Sequence, residues 1–483
     1  MDIFPCEIWE EVVRKLPAFD LINFCKSSDA LLYLLRDKNV VIDFDLGGCF
    51  DIYKEELYQN FYQDVGYEHI RSLNINKIYW IGLEEIRDIV RLLPHLEELR
   101  ALDTILGMRN DDVVLYKKLK KLAISVEMDQ FTSTREVYRE CFSHLKSLCI
   151  KFVSKYRADF RRVYYMFFNE LRKLDELWIY DADDLETQML RYDYIVCNLR
   201  SLRKLVIKSK TNLTLLDYTP FGLLKIYERR RRNNSTICYE GNVEQTEKQN
   251  VFRHIINNCR YLTDLEIVSC TNMEPVDLNE ECVKVPCYSS AIIGAYELIS
   301  NLRHLKRLRL EVPSYLNGNF LKDVFLKCSE LQSLQILSED TNEDLNSVLY
   351  SHLNYAHKLK EFRFENVHID LDRLFSALNK VIPSKLQRIV VKCDYEHSMQ
   401  LWPLEKLLKR NCDIIFLAIL VSTYNRHQIN KLQELLNDFK DHPAKVYVAK
   451  TTMTPEEDLV IPEAHKDILY FSTDVSVLHF SDF

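Results

Sequence analysis

The pattern Leu-x-x-Leu-x-Leu, with other apolar residues at some positions, recurs along most of the chain and constrains its fold strongly. Successive copies lie 23–29 residues apart, except for two longer intervals of 60 and 43 residues. A repeat of this length predicts a stack of similar units rather than separate domains. The second apolar positions of the twelve copies are Leu73, Leu99, Leu122, Leu148, Leu177, Leu205, Leu265, Leu308, Leu334, Phe362, Ile389 and Leu417.

The spacing of apolar residues within one repeat predicts both of its elements. In Leu-x-Leu, alternate residues of a short strand point to one side, and these leucines face a core. Between strands, Leu371, Leu374, Phe375 and Leu378 have the i, i+3, i+4 spacing of a helix. Right-handed crossovers place the strands in a parallel sheet that lines a horseshoe, with the helices outside. We therefore predict an α/β leucine-rich-repeat solenoid, whereas a helical solenoid needs a period of about 40 residues.

Composition and charge exclude several classes of protein. Only 9 Gly and 12 Pro among 483 residues are too few for the turns of an all-β sandwich. The net charge of −8, from 64 basic and 72 acidic residues, argues against nucleic-acid binding. The longest apolar run, residues 414–421, is too short to cross a membrane. No signal peptide is visible and the 14 cysteines form no CxxC pair, so we expect a reducing compartment, cytoplasmic or nuclear.

Several repeats carry a cysteine shortly before their first leucine. Cys259 and Cys328 lie three residues before it, and Cys141 lies four residues before it. This arrangement resembles the cysteine-containing subclass of leucine-rich repeats, in which the thiol fills a tight corner near the strand. Metal binding by Cys141, His144 and Cys149 is the less favoured alternative, because each already has a place in the repeat.

The two long intervals and the chain ends set the predicted boundaries. Insertions near residues 209–250 and 271–291 are predicted as loops, and the first contains four arginines at 229–232. That basic run fits a solvated loop, or else a patch for nuclear import or an acidic partner. The solenoid spans residues 46–440. Residues 441–483 are predicted as a C-terminal cap and tail, with a last strand at residues 446–448.

Residues 1–45 precede the repeat and are predicted to form three short helices. Pro5 suits a first helical turn, Ile8, Val12 and Leu16 form an apolar stripe, and Pro17 ends the helix. So few residues cannot bury a core alone, so they need a partner surface. That surface is the solenoid if this module is a cap, or otherwise another protein.

The same segment resembles the F-box. Its opening Leu-Pro-x-Glu-(Ile/Leu) is matched by Phe4-Pro5-Cys6-Glu7-Ile8, and the later elements by Val12-Val13-Arg14-Lys15-Leu16, Asp20-Leu21 and Phe24-Cys25. The second half departs from the family, because the Trp usual after the Cys-Lys element is missing. The order of modules, an F-box and then a leucine-rich solenoid, resembles that of the F-box/leucine-rich-repeat proteins.

The resemblance implies a non-catalytic substrate receptor of a Skp–cullin–F-box ubiquitin ligase. The F-box would bind the Skp adaptor, and through it cullin, while the solenoid would hold a protein substrate for ubiquitination. The implied adaptor-binding residues are Phe4, Pro5, Ile8, Leu16, Pro17, Leu21 and Phe24. The alternative is a leucine-rich-repeat interaction scaffold without a ligase role, in which the N-terminal helices act as a cap.

Residues between the leucines are expected to present a substrate-binding face. Trp178 and Tyr180 both point outward on one strand in this prediction. Lys151 and Lys208 flank Tyr180, and an exposed aromatic pair amid lysines is a candidate hot spot. A covering loop or tail is the alternative. On neighbouring strands Asp264 and Glu266 face Arg307 and Arg309, either as cross-strand ion pairs or as a recognition strip. The predicted substrate-binding residues are Trp178, Tyr180, Lys208 and Arg309.

The sequence contains no arrangement that predicts catalysis. Phosphate-binding loops, the nucleophile motif G-x-S-x-G and the metal motif H-E-x-x-H are all missing. The acidic run Asp181, Asp183 and Asp184 lacks a Gly turn and is predicted as a polar loop rather than a cation site. No catalytic, cofactor-binding or metal-binding residue is therefore predicted.

Overall fold

The structure, a computed structural model of the 483-residue chain, falls into two compact units, residues 1–202 and 203–483. It describes residues 12, 16, 20, 23, 27, 43–47, 69–76, 78, 80–105, 109–127, 135–153, 168, 171–181, 199–209, 251–269, 296–312, 316–338, 342–382, 385–393, 400–421, 434–435, 445–450 and 469–471.

The described part of the first unit contains six strands, each parallel to and paired with the one before it. The strands are β1 Asp43–Asp45, β2 Ser72–Asn74, β3 Glu98–Ile105, β4 Lys121–Glu127, β5 Ser147–Val153 and β6 Glu176–Asp181. The α-helices between them are α1 Leu83–Leu92, α2 Val113–Tyr116 and α3 Arg135–Phe142.

The second unit continues the same organisation, and nine parallel strands pair in chain order within its described residues. The strands are β7 Lys204–Ser209, β8 Asp264–Ser269, β9 Arg307–Glu311, β10 Ser333–Leu337, β11 Glu361–Asn366, β12 Arg388–Cys393, β13 Phe416–Val421, β14 Lys445–Lys450 and β15 Leu469–Phe471. The α-helices are α4 Val251–Asn258, α5 Asn319–Lys327, α6 Glu343–His352, α7 Leu371–Leu378 and α8 Leu401–Arg410.

The twelve repeat motifs supply strands β2 to β13, one strand each, which confirms the leucine-rich repeat. The second apolar residue of every motif is at most 1% exposed. Burial of one such side chain stabilises the fold by about 1.5–3 kcal/mol relative to exposure. In β9 the two leucines are buried while the intervening residues are exposed or half-buried, as the period of two requires.

The helices between strands bury the stripes expected from their sequence. In α7, Leu371, Leu374, Phe375 and Leu378 are all buried. Asp370 begins this helix, because its side chain accepts a 2.9 Å hydrogen bond from the backbone N–H of Arg373. The predicted helical spacing is therefore confirmed for this repeat.

The cysteines before the first leucines occupy buried corners, as predicted. Cys141, Cys259 and Cys328 are all buried free thiols. The thiol of Cys328 donates to the carbonyl of Leu302, 3.5 Å away, so it links the corners of two successive repeats. Burial raises the pKa of Cys328 to about 11, which keeps this thiol neutral at ordinary pH.

The sheet extends further toward the C-terminus than the sequence indicated. The predicted strand at residues 446–448 lies within β14. Residues 441–483 were predicted as a cap and tail with one strand, but a second strand, Leu469–Phe471, forms β15 and pairs with β14. The predicted insertions lie outside the described residues, apart from Ser209 in β7.

The three-helix N-terminal module is not confirmed. Of the first 42 residues the structure describes five, and Val12, Asp20 and Asn23 among them are helical. A bend at Leu16 fits the helix end expected before Pro17. Among the described residues, none belongs to a helix with the length and apolar character needed to cross a bilayer.

Candidate protein-binding surface

The parallel register of the second unit aligns one polar residue from each of four strands. Glu266 in β8 lies beside Arg309 in β9, which lies beside Gln335 in β10 and then Arg363 in β11. Neighbouring strands in a sheet are about 4.8 Å apart, so these side chains form one continuous row. We call these four residues the central polar row.

Ion pairs neutralise most of the charge around the central polar row. Arg309 donates to Glu266 at 2.9 Å, and Arg307 pairs with Asp264 one position earlier on the same strands. These contacts confirm the predicted cross-strand pairing. Arg363 donates from Nε to Glu365 at 2.5 Å along its own strand. Burial lowers the pKa of Arg309, although the neighbouring Glu266 opposes that effect.

Gln335, at the middle of the row, has an unsatisfied polar atom. Its side chain is on the polar face of β10 between two guanidinium groups, yet the residue is only 6% exposed. The buried Oε1 accepts no hydrogen bond in the structure. An unsatisfied buried acceptor lowers the stability of the fold by about 1–3 kcal/mol.

The predicted exposure of Trp178 was wrong. Trp178 lies in β6 beside Cys149 of β5, and its side chain is 1% exposed. Tyr180 is half-buried and lies beside Lys151, as the repeat register predicted. Trp178 therefore offers almost no surface to a substrate in this structure, while Tyr180 is partly exposed.

The other two predicted substrate-binding residues lie on the second unit. Lys208 in β7 is half-buried and lies beside Val268, whereas Arg309 lies beside Glu266. The register therefore places these two residues in different rows. Gln335 was not predicted, because the sequence shows its place in the repeat but not the missing hydrogen bond.

Of the predicted adaptor-binding residues, Leu16 alone is described, and it is half-buried. Phe4, Pro5, Ile8, Pro17, Leu21 and Phe24 lie outside the described residues. The neighbouring Val12 is helical and 37% exposed.

Within the described ranges, the structure brings together no group of three or more His, Cys, Asp or Glu residues suited to a metal ion. The side chains of the polar face instead offer paired charges and amide groups. Such groups bind peptides and proteins through hydrogen bonds and charge complementarity.

Comparison with known proteins gives one match to a family model and one curated relative. Residues 208–444 match the model described as "F-box/LRR-repeat protein 18, LRR". The human F-box/LRR-repeat protein 18 is 25% identical over 154 residues, which are 30% of this chain and 21% of that protein. The alignment thus spans about a fifth of the length of the curated relative. Both matches show that this chain is similar to F-box/LRR proteins.

Solved structures with some similarity include the Rad7 and Elc1 complex in yeast, with a TM-score of 0.40 and 16% identity. That match covers 86% of this chain and 87% of the other. The leucine-rich repeat-containing protein LegL7 from Legionella pneumophila gives a TM-score of 0.33 and 13% identity. It covers 62% of this chain and 82% of the other.

Proposed function

On the basis of the similarity to F-box/LRR proteins, we propose that the chain is the substrate-recognition subunit of a Skp–cullin–F-box ubiquitin ligase. Residues 4–24 bind the Skp adaptor, which carries the cullin. The leucine-rich sheet holds a protein substrate, whose ubiquitination is catalysed by a partner enzyme. The complex acts in the cytoplasm or the nucleus.

The observation that carries this proposal is the match of residues 208–444 to the repeats of F-box/LRR-repeat protein 18. The F-box-like motif at residues 4–25 lies outside that match, so it supports the same family independently. Leu21 and Phe24 supply apolar side chains of the kind that a helix buries in the groove of a partner.

The proposed substrate contacts of the second unit are the central polar row and Lys208, and the proposed contact of the first unit is Tyr180. In the row, acidic or amide groups of the substrate contact Arg309, the one residue of the four that is not buried.

Co-expression with a Skp adaptor tests the ligase role. We expect the intact chain to retain the adaptor through affinity purification and size exclusion, and Leu21→Asp to lose it, because a charge cannot be buried cheaply in an apolar groove. Asn23→Asp is the matched control, since Asn23 is exposed on a helix and gains the same charge. If the intact chain never retains the adaptor, the chain is a leucine-rich scaffold and its N-terminal helices are a cap.

A further inference from the structure

Two consecutive turns of the second unit concentrate positive charge. They are residues 354–360, which precede β11, and the described residues 379–382 and 385–387, which precede β12. Together they contain Lys358, Lys360, Lys380 and Lys385 and no acidic residue. This local excess stands out in a chain whose net charge is −8.

The same turns expose two large apolar side chains. Tyr355 is 43% exposed and Ile382 is 56% exposed. His357 joins them, because its backbone N–H donates to the Tyr355 carbonyl at 3.0 Å and its Nδ1 donates to the Ile382 carbonyl at 2.9 Å. The two turns thus form one surface, the basic edge, defined as Tyr355, His357, Lys358, Lys360, Lys380, Ile382 and Lys385.

Most of the positive charge on the basic edge is available to a partner. Lys358 pairs with Glu330 of the preceding repeat. Lys360, Lys380 and Lys385 make no ion pair within the described part of the chain. A helix C-terminus favours a nearby positive charge, which explains a lysine at position 380, just after α7. It does not explain Lys360 and Lys385, which lie next to strands.

We propose that the basic edge is a docking surface for an acidic protein segment that carries an apolar side chain. The carboxylates of the segment pair with Lys360, Lys380 and Lys385, and its apolar side chain packs between Tyr355 and Ile382. A nucleic acid fits less well, because the chain as a whole is negative. This proposal does not depend on the ligase role.

Fluorescence anisotropy with the full chain tests the proposal. The probe is a fluorescein-labelled 12-residue peptide of Asp and Glu with Leu and Phe at its two central positions. We expect saturable binding that weakens as NaCl rises, because salt screens exposed charges. We expect Lys380→Ser/Lys385→Ser, and separately Tyr355→Ser/Ile382→Ser, to weaken binding about tenfold or more.

Matched variants separate the surface from net charge and from exposed apolar area. Lys322→Ser/Lys406→Ser removes two exposed lysines from α5 and α8, and Leu326→Ser removes a side chain that is 50% exposed. We expect both controls to bind like the intact chain. A thermal unfolding curve for every variant shows that the fold is kept.

Three outcomes would overturn the proposal. One is a probe that does not bind the intact chain. Another is a probe that binds the edge variants and the controls equally. The third is a 12-nucleotide single-stranded oligonucleotide that binds more tightly than the peptide through the same lysines, which would assign the edge to nucleic acid.

Discussion

At the residue scale, the central polar row combines paired charges with one unsatisfied amide. Arg309 and Arg363 each pair with a carboxylate, but Oε1 of Gln335 between them has no partner. An unsatisfied polar atom at this buried position lowers the stability of the fold.

Replacement of Gln335 by Met tests whether the amide costs stability. We expect Gln335→Met to raise the free energy of unfolding by about 1 kcal/mol, because an apolar side chain of similar size removes the unsatisfied acceptor. Gln387→Met is the control, since Gln387 is exposed and its replacement changes stability by less than about 0.5 kcal/mol. Urea titration measures both variants. A clear loss of stability in Gln335→Met would mean that its amide is satisfied in the folded protein.

A second residue-scale feature is the buried ion pair between α1 and the start of α2. Arg87 and Asp112 are at most 2% exposed and form two hydrogen bonds, Nε to Oδ1 at 2.9 Å and Nη2 to Oδ2 at 2.8 Å. The hydrogen bond with Asp112 raises the pKa of Arg87. Removal of one partner leaves a buried charge without compensation.

We expect Arg87→Met to lower the free energy of unfolding by about 3–5 kcal/mol, because Asp112 stays buried without its cation. Arg91→Met on the same helix is the control. Arg91 and its partner Asp88 are each 55% exposed, so we expect that variant to lose less than about 1 kcal/mol. If chemical denaturation gives the two variants equal free energies of unfolding, the buried pair of Arg87 and Asp112 contributes no more to stability than the exposed pair of Arg91 and Asp88.

Single residues were the least predictable from sequence. The repeat register correctly placed Tyr180 beside Lys151 and Glu266 beside Arg309, because these positions follow from the leucine spacing. The burial of Trp178 did not follow, because side-chain exposure depends on what packs over the polar face as well as on strand alternation. Hydrogen-bond satisfaction at Gln335 likewise depends on atomic positions that a pattern does not contain.

At the element scale, α5 and α6 approach each other closely at Gly318. A Cβ built on Gly318 would lie 2.9 Å from Leu345 Cα and 2.9 Å from Val348 Cβ, both closer than side chains normally pack. The backbone of Gly318 is in the ordinary helical region, with φ of −73°, so the constraint is contact rather than backbone strain. Glycine therefore permits the spacing of these two helices.

We expect Gly318→Ala to lower the free energy of unfolding by about 1–3 kcal/mol, because α5 must move away from α6. Gly82→Ala is the matched control at the start of α1. Its Cβ would meet only the carboxylate end of Glu85, at 3.0 Å, which can rotate away. We expect Gly82→Ala to lower the free energy of unfolding by less than about 1 kcal/mol. If urea titrations give equal losses for the two variants, close contact between α5 and α6 is not the reason for glycine at position 318.

The elements themselves were largely predictable from sequence. Strands β2 to β13 follow from one leucine spacing repeated twelve times, so each copy reinforces the assignment of the others. β15 could not be predicted in this way, because it has three residues and lies beyond the last copy of the motif. β1 likewise lies within the segment assigned to the N-terminal module.

At the scale of the whole molecule, we assign adaptor binding to the short N-terminal segment and substrate binding to the long series of repeats. The repeats have a fold that their own leucines specify. The N-terminal residues 4–24 bear apolar side chains in an F-box-like order, and they are too few to form a core alone. The central claim is therefore that this segment, and not the sheet, binds the Skp adaptor.

Hydrogen exchange of the full chain, with and without a purified Skp adaptor, tests that claim most directly. We predict slower exchange in peptides from residues 4–24 when the adaptor is present, because helices that are buried at an interface open less often. Peptides from β9 to β12 should exchange at unchanged rates. Unchanged exchange throughout the chain, or protection confined to β9–β12, would contradict the proposed role of the N-terminal segment.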